Sequence, residues 1–226
     1  MRAHSEAVLA PGAADAGPAV DHHGLRTAWL AGRIARFLEL DAATVEGVEE
    51  AASFHDVGKR FVDESVLSKP GRLDAGERHQ VEMHVVFGAW TLLSGGPPRR
   101  LAAQVALLHH EWWNGRGYPF GLARLAIPLA ARITAVADVF DALSEERCYK
   151  PAWPLRDVMA YVASQRGRQF DPRCADAMRE VAARLPVDWH QQALGVSSLG
   201  SLEISSVPTL LQGDELSRGM HTRCFV

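Results

Sequence analysis

Long apolar runs are missing from this chain. No stretch approaches the ~18 residues needed to cross a bilayer, so no membrane-spanning helix is expected. An apolar leader is missing too: Arg2 is followed by an Ala/Gly/Pro-rich stretch containing Asp15, unlike the core of a signal peptide. Cysteine is scarce. Cys148, Cys174 and Cys224 are odd in number, far apart and without CxxC spacing. That argues against a disulfide framework or a structural zinc site, and it fits a reducing, cytoplasmic setting. Charge of one sign is lacking as well: 24 basic and 27 acidic residues leave a formal net charge of −3. There is no basic excess to grip duplex DNA or RNA, although basic residues can still gather around a small anionic substrate. Internal repeats and clear strand signals are also absent.

What is present is enough chain, 226 residues, for one domain with a substantial core. Residues 1–20, rich in Ala, Gly and Pro, read as a flexible lead. From Asp21 the pattern is helical: Leu25, Trp29, Leu30, Ile34 and Phe37-Leu38 recur at spacings of three and four. Asp41 caps a second predicted helix that runs towards Gly58. Residues 60–72, with Lys69-Pro70-Gly71, read as loop. Asp74 starts a helix through Met83, Phe87 and Leu92, which Gly95-Gly96-Pro97-Pro98 stops. Helix is expected again from Arg99 to His110. Residues 111–127, with Gly115, Gly117, Pro119 and Gly121, form a long irregular loop of the kind that is usually functional. Pro128 starts a helix through Ile133, Val136, Val139 and Leu143. Two more helices are expected at 154–164 and 171–185. The sequence therefore predicts an all-α domain over 21–188, with no sheet, followed by an irregular tail over 189–226.

The chemistry-bearing residues lie at a few places along this helical pattern. His55 and Asp56 are adjacent near a helix end. The plain alternative to a ligand pair is that Asp56 caps the helix end with His55 packed nearby, although aspartate is poorly suited to the negative end of a helix dipole; alone, the pair is a weak signal for metal. His109-His110 ends an apolar helix. Buried imidazoles need partners for their nitrogens, and a metal is one. A half-exposed helix end would also welcome histidine, and for this pair alone the two readings are balanced. Asp138 sits within Ala135-Val136-Ala137 and Val139-Phe140, where a carboxylate is buried and needs a cation; the alternatives are a metal or an arginine. His84 alone reads as an ordinary half-buried histidine. His22 and His23 open the first helix side by side, and spacing does not choose between them. Together, imidazoles and carboxylates drawn from separated segments are the donor set of a catalytic metal site.

The order His23, His55-Asp56, His84, His109-His110, Asp138 resembles the HD-GYP family of the HD phosphohydrolase superfamily. The matching text is His55-Asp56-Val57-Gly58-Lys59, Lys69-Pro70-Gly71, His84 with Gly88, His109-His110-Glu111, Trp113-Asn114-Gly115 and Gly117-Tyr118-Pro119. It continues through Ile127-Pro128, the Ala135–Leu143 run, Arg147, Tyr149-Lys150 and Phe170-Asp171-Pro172, covering about residues 22–185. This resemblance implies a helical domain around a two- or three-metal centre, commonly iron or manganese, in a bacterial second-messenger enzyme that hydrolyses cyclic di-GMP. By position, His23, His55, Asp56 and Asp138 would serve one metal, and Asp56 would bridge to a second held by His84, His109 and His110. Lys59, Arg147 and Lys150 match substrate-contacting positions, and Tyr118 belongs to the motif loop beside the site. Asp56 and Lys59 are the implied catalytic residues. The implied reaction is attack of a metal-bridging hydroxide on phosphorus, opening the ring to linear pGpG, with GMP as the product of a second turnover.

The pattern has departures. A glutamate four residues before the first histidine accompanies a third metal in the family. Here that position is Ala19, or Pro18 if His22 leads, so two metals are expected and the second cleavage is placed in doubt. Val85 follows His84 where proline is usual, Arg60-Phe61-Val62 replaces a small-residue turn, and Cys148 replaces a common proline. Residues 1–20 are too few to form a regulatory domain, so internal control by one is not expected. The alternatives are a phosphohydrolase of another cyclic dinucleotide and a non-catalytic module that binds cyclic di-GMP or a diguanylate cyclase through the Gly-Tyr-Pro loop.

Overall fold

The computed structural model describes residues 21–94, 99–145 and 152–195. Among these residues the structure is helical and holds no strand; the only ladder contacts are isolated bridges, Asn114 to Ala123 and Arg166 to Phe170.

Helix α1 (His22–Phe37) starts where Asp21 accepts from the Gly24 N–H at 2.6 Å. Helix α2 (Ala42–Ser53) starts in the same way at Asp41, whose carboxylate takes the Thr44 N–H at 2.9 Å. Both caps satisfy N–H groups that the first turn leaves without partners. The second helix ends five residues short of Gly58. His55 and Asp56 sit in the turn beyond it, and a 3-10 helix (Val57–Phe61) follows.

The stretch expected as loop contains a short helix, α3 (Glu64–Leu67), started by Asp63. Asp74 and Glu77 form a reciprocal capping box at the head of α4 (Ala75–Glu82). The single helix predicted from Asp74 to Leu92 is broken at Met83, and α5 (His84–Ser94) begins on the other side. The break leaves the Val81 carbonyl to the His84 ring, whose Nδ1 lies 2.5 Å from it.

Helix α6 (Arg100–Leu108) stops just before His109. Across 111–127 the chain makes one 3-10 turn (Arg124–Ala126). Helix α7 (Leu129–Ser144) then runs through the centre of the molecule, with Ala130, Ile133, Val136, Ala137 and Phe140 buried along it. Helices α8 (Leu155–Gln165) and α9 (Pro172–Ala182) close that side, and Asp171 caps α9.

The tail is not irregular at its start. Trp189–Gly195 forms α10, because Trp189 buries its ring between Trp29 and Phe140, with centroids at 6.1 and 5.9 Å. One aromatic anchor orders this turn where periodicity gave no signal. Residues 1–20 and 196–226, and the predicted Gly95–Pro98 stop, lie outside the described residues.

One continuous core joins α1, α2, α5, α6, α7, α8 and α9, with Leu30, Ile34, Val48, Phe54, Val105, Val136, Phe140 and Met178 fully or nearly fully buried. The helix ends that carry His55, His84 and His109, the start of α1 and the middle of α7 meet at one place beside it.

Candidate metal centre

Two groups of potential ligands converge there. Asp56, His84, His109 and His110 form one; His23, His55 and Asp138 form the other. Within each group the donor atoms all lie within 4.8 Å of one another. Asp56 joins the groups: its Oδ2 lies 3.3 Å from His55 Nε2, and its Oδ1 lies 3.3 Å from His84 Nε2 and 3.8 Å from His109 Nε2. On the other side His23 Nε2 is 3.0 Å, and His55 Nε2 3.7 Å, from Asp138 Oδ1. Of the two histidines that the sequence left open, His23 belongs to the cluster and its neighbour His22 is exposed.

The ring tautomers follow from the backbone. His55 Nδ1 lies 2.8 Å from the Ala52 carbonyl, and His109 Nδ1 lies 3.1 and 3.0 Å from the carbonyls of Val105 and Ala106. With His84 on Val81, all three rings donate Nδ1–H to backbone carbonyls three or four residues behind them; the Ala52 and Val105 carbonyls also accept the His55 and His109 N–H groups, so the rings use the second lone pair. Their Nε2 lone pairs then face inward. Those Nε2 atoms and Asp56 Oδ1 are buried and have no hydrogen-bond partner. Buried orphaned acceptors aimed at one another are costly unless something positive lies between them. The donor set, imidazole and carboxylate, fits divalent iron, manganese or zinc. Asp56 makes no capping hydrogen bond to the 3-10 helix that follows it, so its carboxylate is left to the cluster and to Lys59.

The electrostatics agree. Burial would lower the His23 pKa, but hydrogen bonds to Asp138 and Asp141 outweigh it and raise it to about 9. His55 is likewise raised by Asp56 and Asp138 against the effect of burial. Asp138 is held well below the usual carboxylate range by His23 and His55 although burial opposes this. Asp56 is held down by His55 and Lys59, again against burial. On the opposite side burial pushes His110 down to about 4, and burial with the neighbouring rings pushes His109 well below its ordinary value. On one side Asp56 and Asp138 draw positive charge onto the imidazoles of His23 and His55; on the other His109 and His110 stay neutral, and Asp56 faces both sides.

The motif loop is fastened to this centre. Tyr118 stacks on His110 with centroids 4.8 Å apart, and its phenol is shifted upwards by burial. Gly117 is required there: a Cβ would stand 2.3 Å from the Trp112 nitrogen and 2.4 Å from the His110 carbonyl oxygen. Lys59 hydrogen-bonds Asp56 Oδ2 and is 41% exposed, so its ammonium stands between the cluster and solvent. Arg147 and Lys150 lie outside the described residues.

Three participants were given no role in the sequence reading. Asp141, fully buried, takes His23 Nδ1 at 2.6 Å. Arg26 grips Asp141 from the same helix as His23. Glu111, also buried, accepts the Phe120 N–H at 2.7 Å and so holds the loop. The signal for the first two was spacing: Asp138 and Asp141, like His23 and Arg26, are three residues apart on one helix face.

A helical fold with histidines and aspartates gathered in this way defines a class of metal-dependent phosphohydrolases, and the comparisons with known proteins agree. A family model described as an HD domain matches residues 7–174. The chain belongs to this HD domain family and within it is of the HD-GYP type. Among curated proteins it is 48% identical over 162 residues to the cyclic di-GMP phosphodiesterase response regulator RpfG of Xanthomonas campestris, covering 71% of this chain and 43% of that protein. It is 38% identical to 3′3′-cGAMP-specific phosphodiesterase 2 of Vibrio cholerae, covering 70% of this chain and 30% of the relative. The chain therefore spans less than half the length of these relatives. A solved HDG"Y"P protein from Bdellovibrio bacteriovorus shares the fold at a TM-score of 0.57 and 16% identity, over 74% of this chain and 53% of that one.

Proposed function

We propose that this chain is a metal-dependent phosphodiesterase that opens cyclic di-GMP to linear pGpG. The observation that carries the reading is the pair of ligand groups sharing Asp56, with three buried Nε2 atoms lacking partners. His23, His55 and Asp138 would hold one ion, His84, His109 and His110 the other, and Asp56 would offer an oxygen to each. Two divalent ions there, iron or manganese, would supply Lewis acidity to the phosphoryl group and bring water to its nucleophilic form near neutral pH.

The remaining roles belong to the chain. Lys59 offers a cation to the nonbridging phosphate oxygens from the solvent side of Asp56. Tyr118, stacked on His110, walls the site and keeps that ring in place. Arg147 and Lys150 complete the contacts to phosphate and guanine by their place in the sequence. In the reaction a water oxygen bonds to phosphorus as the bond to the ribose 3′-oxygen breaks, that oxygen takes a proton from the water, and the product carries a free 5′-phosphate. Names among the relatives support the substrate class, and the higher identity lies with a cyclic di-GMP enzyme. The names that specify 3′3′-cGAMP make that dinucleotide the second reading. A module that binds cyclic di-GMP or a diguanylate cyclase without turnover is a third, and the complete ligand set argues against it.

The test is incubation with cyclic di-GMP, and separately with 3′3′-cGAMP, in Mn²⁺ or Fe²⁺, with products resolved by chromatography. pGpG from cyclic di-GMP supports the proposal. Cleavage of 3′3′-cGAMP alone moves the substrate assignment, and metal uptake without cleavage of either leaves the binding module.

A further inference from the structure

We infer that Asp141, braced by Arg26, is the positioning residue that makes His23 a metal ligand. One of the two ion positions then depends on a buried ion pair between α1 and α7. This rests on the two-ion reading proposed above.

What each histidine ring can reach depends on where the residue sits on its helix. His55, His84 and His109 follow helix ends, and each finds a carbonyl three or four residues behind it: Ala52, Val81, and Ala106 with Val105. The last turn of the preceding helix brings these carbonyls within reach, and a carbonyl that takes a backbone N–H keeps a second lone pair, so orienting these rings needs no other group. His23 is the second residue of α1. The start of a helix has N–H groups in excess, and α1 has no helical carbonyl three or four residues behind His23. The ring needs an acceptor from elsewhere, and α7 supplies it. Asp141 Oδ2 lies 2.6 Å from His23 Nδ1. A carboxylate that accepts there keeps the proton on Nδ1 and leaves Nε2 to face Asp138 Oδ1 at 3.0 Å and Asp56 Oδ2 at 3.9 Å.

Asp141 is itself held. Arg26 Nε donates to Oδ1 at 2.7 Å and Nη2 to Oδ2 at 3.0 Å, a two-pronged contact that fixes the plane of the carboxylate. Nη2 also reaches the Glu145 carboxylate, and so ties both ends of the last turn of α7 to α1. Both members of the central pair are buried, Arg26 at 4% exposure and Asp141 at 0%. Three donor groups thus converge on the two oxygens of Asp141. An asparagine has one oxygen, so at least one of those donors would face an NH₂ group.

The test is Mn²⁺ titration of the chelator-stripped protein, with free Mn²⁺ read by electron paramagnetic resonance and folding checked by circular dichroism. Asp141→Asn should weaken one of the two sites by about 10–100-fold and leave the other unchanged. Because Asp141 acts through His23, the double variant His23→Ala/Asp141→Asn should bind as His23→Ala alone does. Wild-type affinity at both sites in Asp141→Asn, or a further loss in the double variant, overturns the inference. If Asp141→Asn does not fold, Arg26→Lys carries the test. Losing the two-pronged grip should weaken the same site by a smaller factor, and two unchanged sites would refute it. A wild-type protein that takes up no Mn²⁺ sinks the two-ion reading instead.

Discussion

Gly58→Ala tests how closely the helical frame sets the ligand positions. A Cβ at Gly58 would stand 1.9 Å from the His84 carbonyl oxygen, 2.5 Å from the Gly88 nitrogen and 2.8 Å from the His84 carbonyl carbon. All three are backbone atoms of α5, so no side chain can swing aside. Restoring an ordinary contact of 3.4 Å requires α5 and the 3-10 helix to part by about 1.5 Å at this point. Overpacking of this kind costs about 1–3 kcal/mol, and the backbone clash places this case at the upper end. For a chain of this size that corresponds to a fall in Tm of roughly 6–12 °C. The displaced segment carries His84, whose Nε2 is 3.3 Å from Asp56 Oδ1. Metal–ligand distances tolerate only about 0.2 Å, so the ion served by His84 should be lost more than about tenfold in affinity. Thermal unfolding of stripped protein, followed by Mn²⁺ titration, reads both effects. A variant within about 1 °C of wild type that still holds two ions would refute the reasoning.

Asp56→Ala should remove both ions while leaving the helical circular dichroism intact, because one carboxylate faces both ligand groups; full turnover by the folded variant would end the assignment. Chelator-treated protein should be most stable near pH 6.5. His23, raised to about 9 when folded, contributes stability that is complete below 6.5 and lost as pH rises through 9. His110, lowered to about 4, destabilises the fold as pH falls from 6.5 towards 4. Urea midpoints that climb steadily from pH 6.5 to 9 would contradict this. Trp189→Ala removes the ring held between Trp29 and Phe140 and should cost about 3–5 kcal/mol in denaturant unfolding. A loss below about 1 kcal/mol would show that α10 is not packed as described.

Local chemistry carried by single residues or short repeats was legible in the chain itself. Asp21, Asp41 and Asp74 start helices because a carboxylate one residue ahead of the first turn meets free N–H groups, and that depends on nothing distant. The apolar periodicity of α1 and α7 likewise follows from burying one face. The seven expected ligands were readable as residue types, and the structure brings all seven together. Sequence did not show the break at Met83, since an apolar pattern passes through it unchanged; only the packing of α5 on the 3-10 helix and the demand of the His84 ring for a carbonyl place it. Nor did it show α10, whose order comes from one tryptophan meeting α1 and α7. That His23 and not His22 faces the cluster, and that Asp141 meets its ring, were also decided by tertiary structure. Adjacent residues on a helix point about 100° apart, and which of them meets a carboxylate more than a hundred positions away depends on how α1 lies against α7.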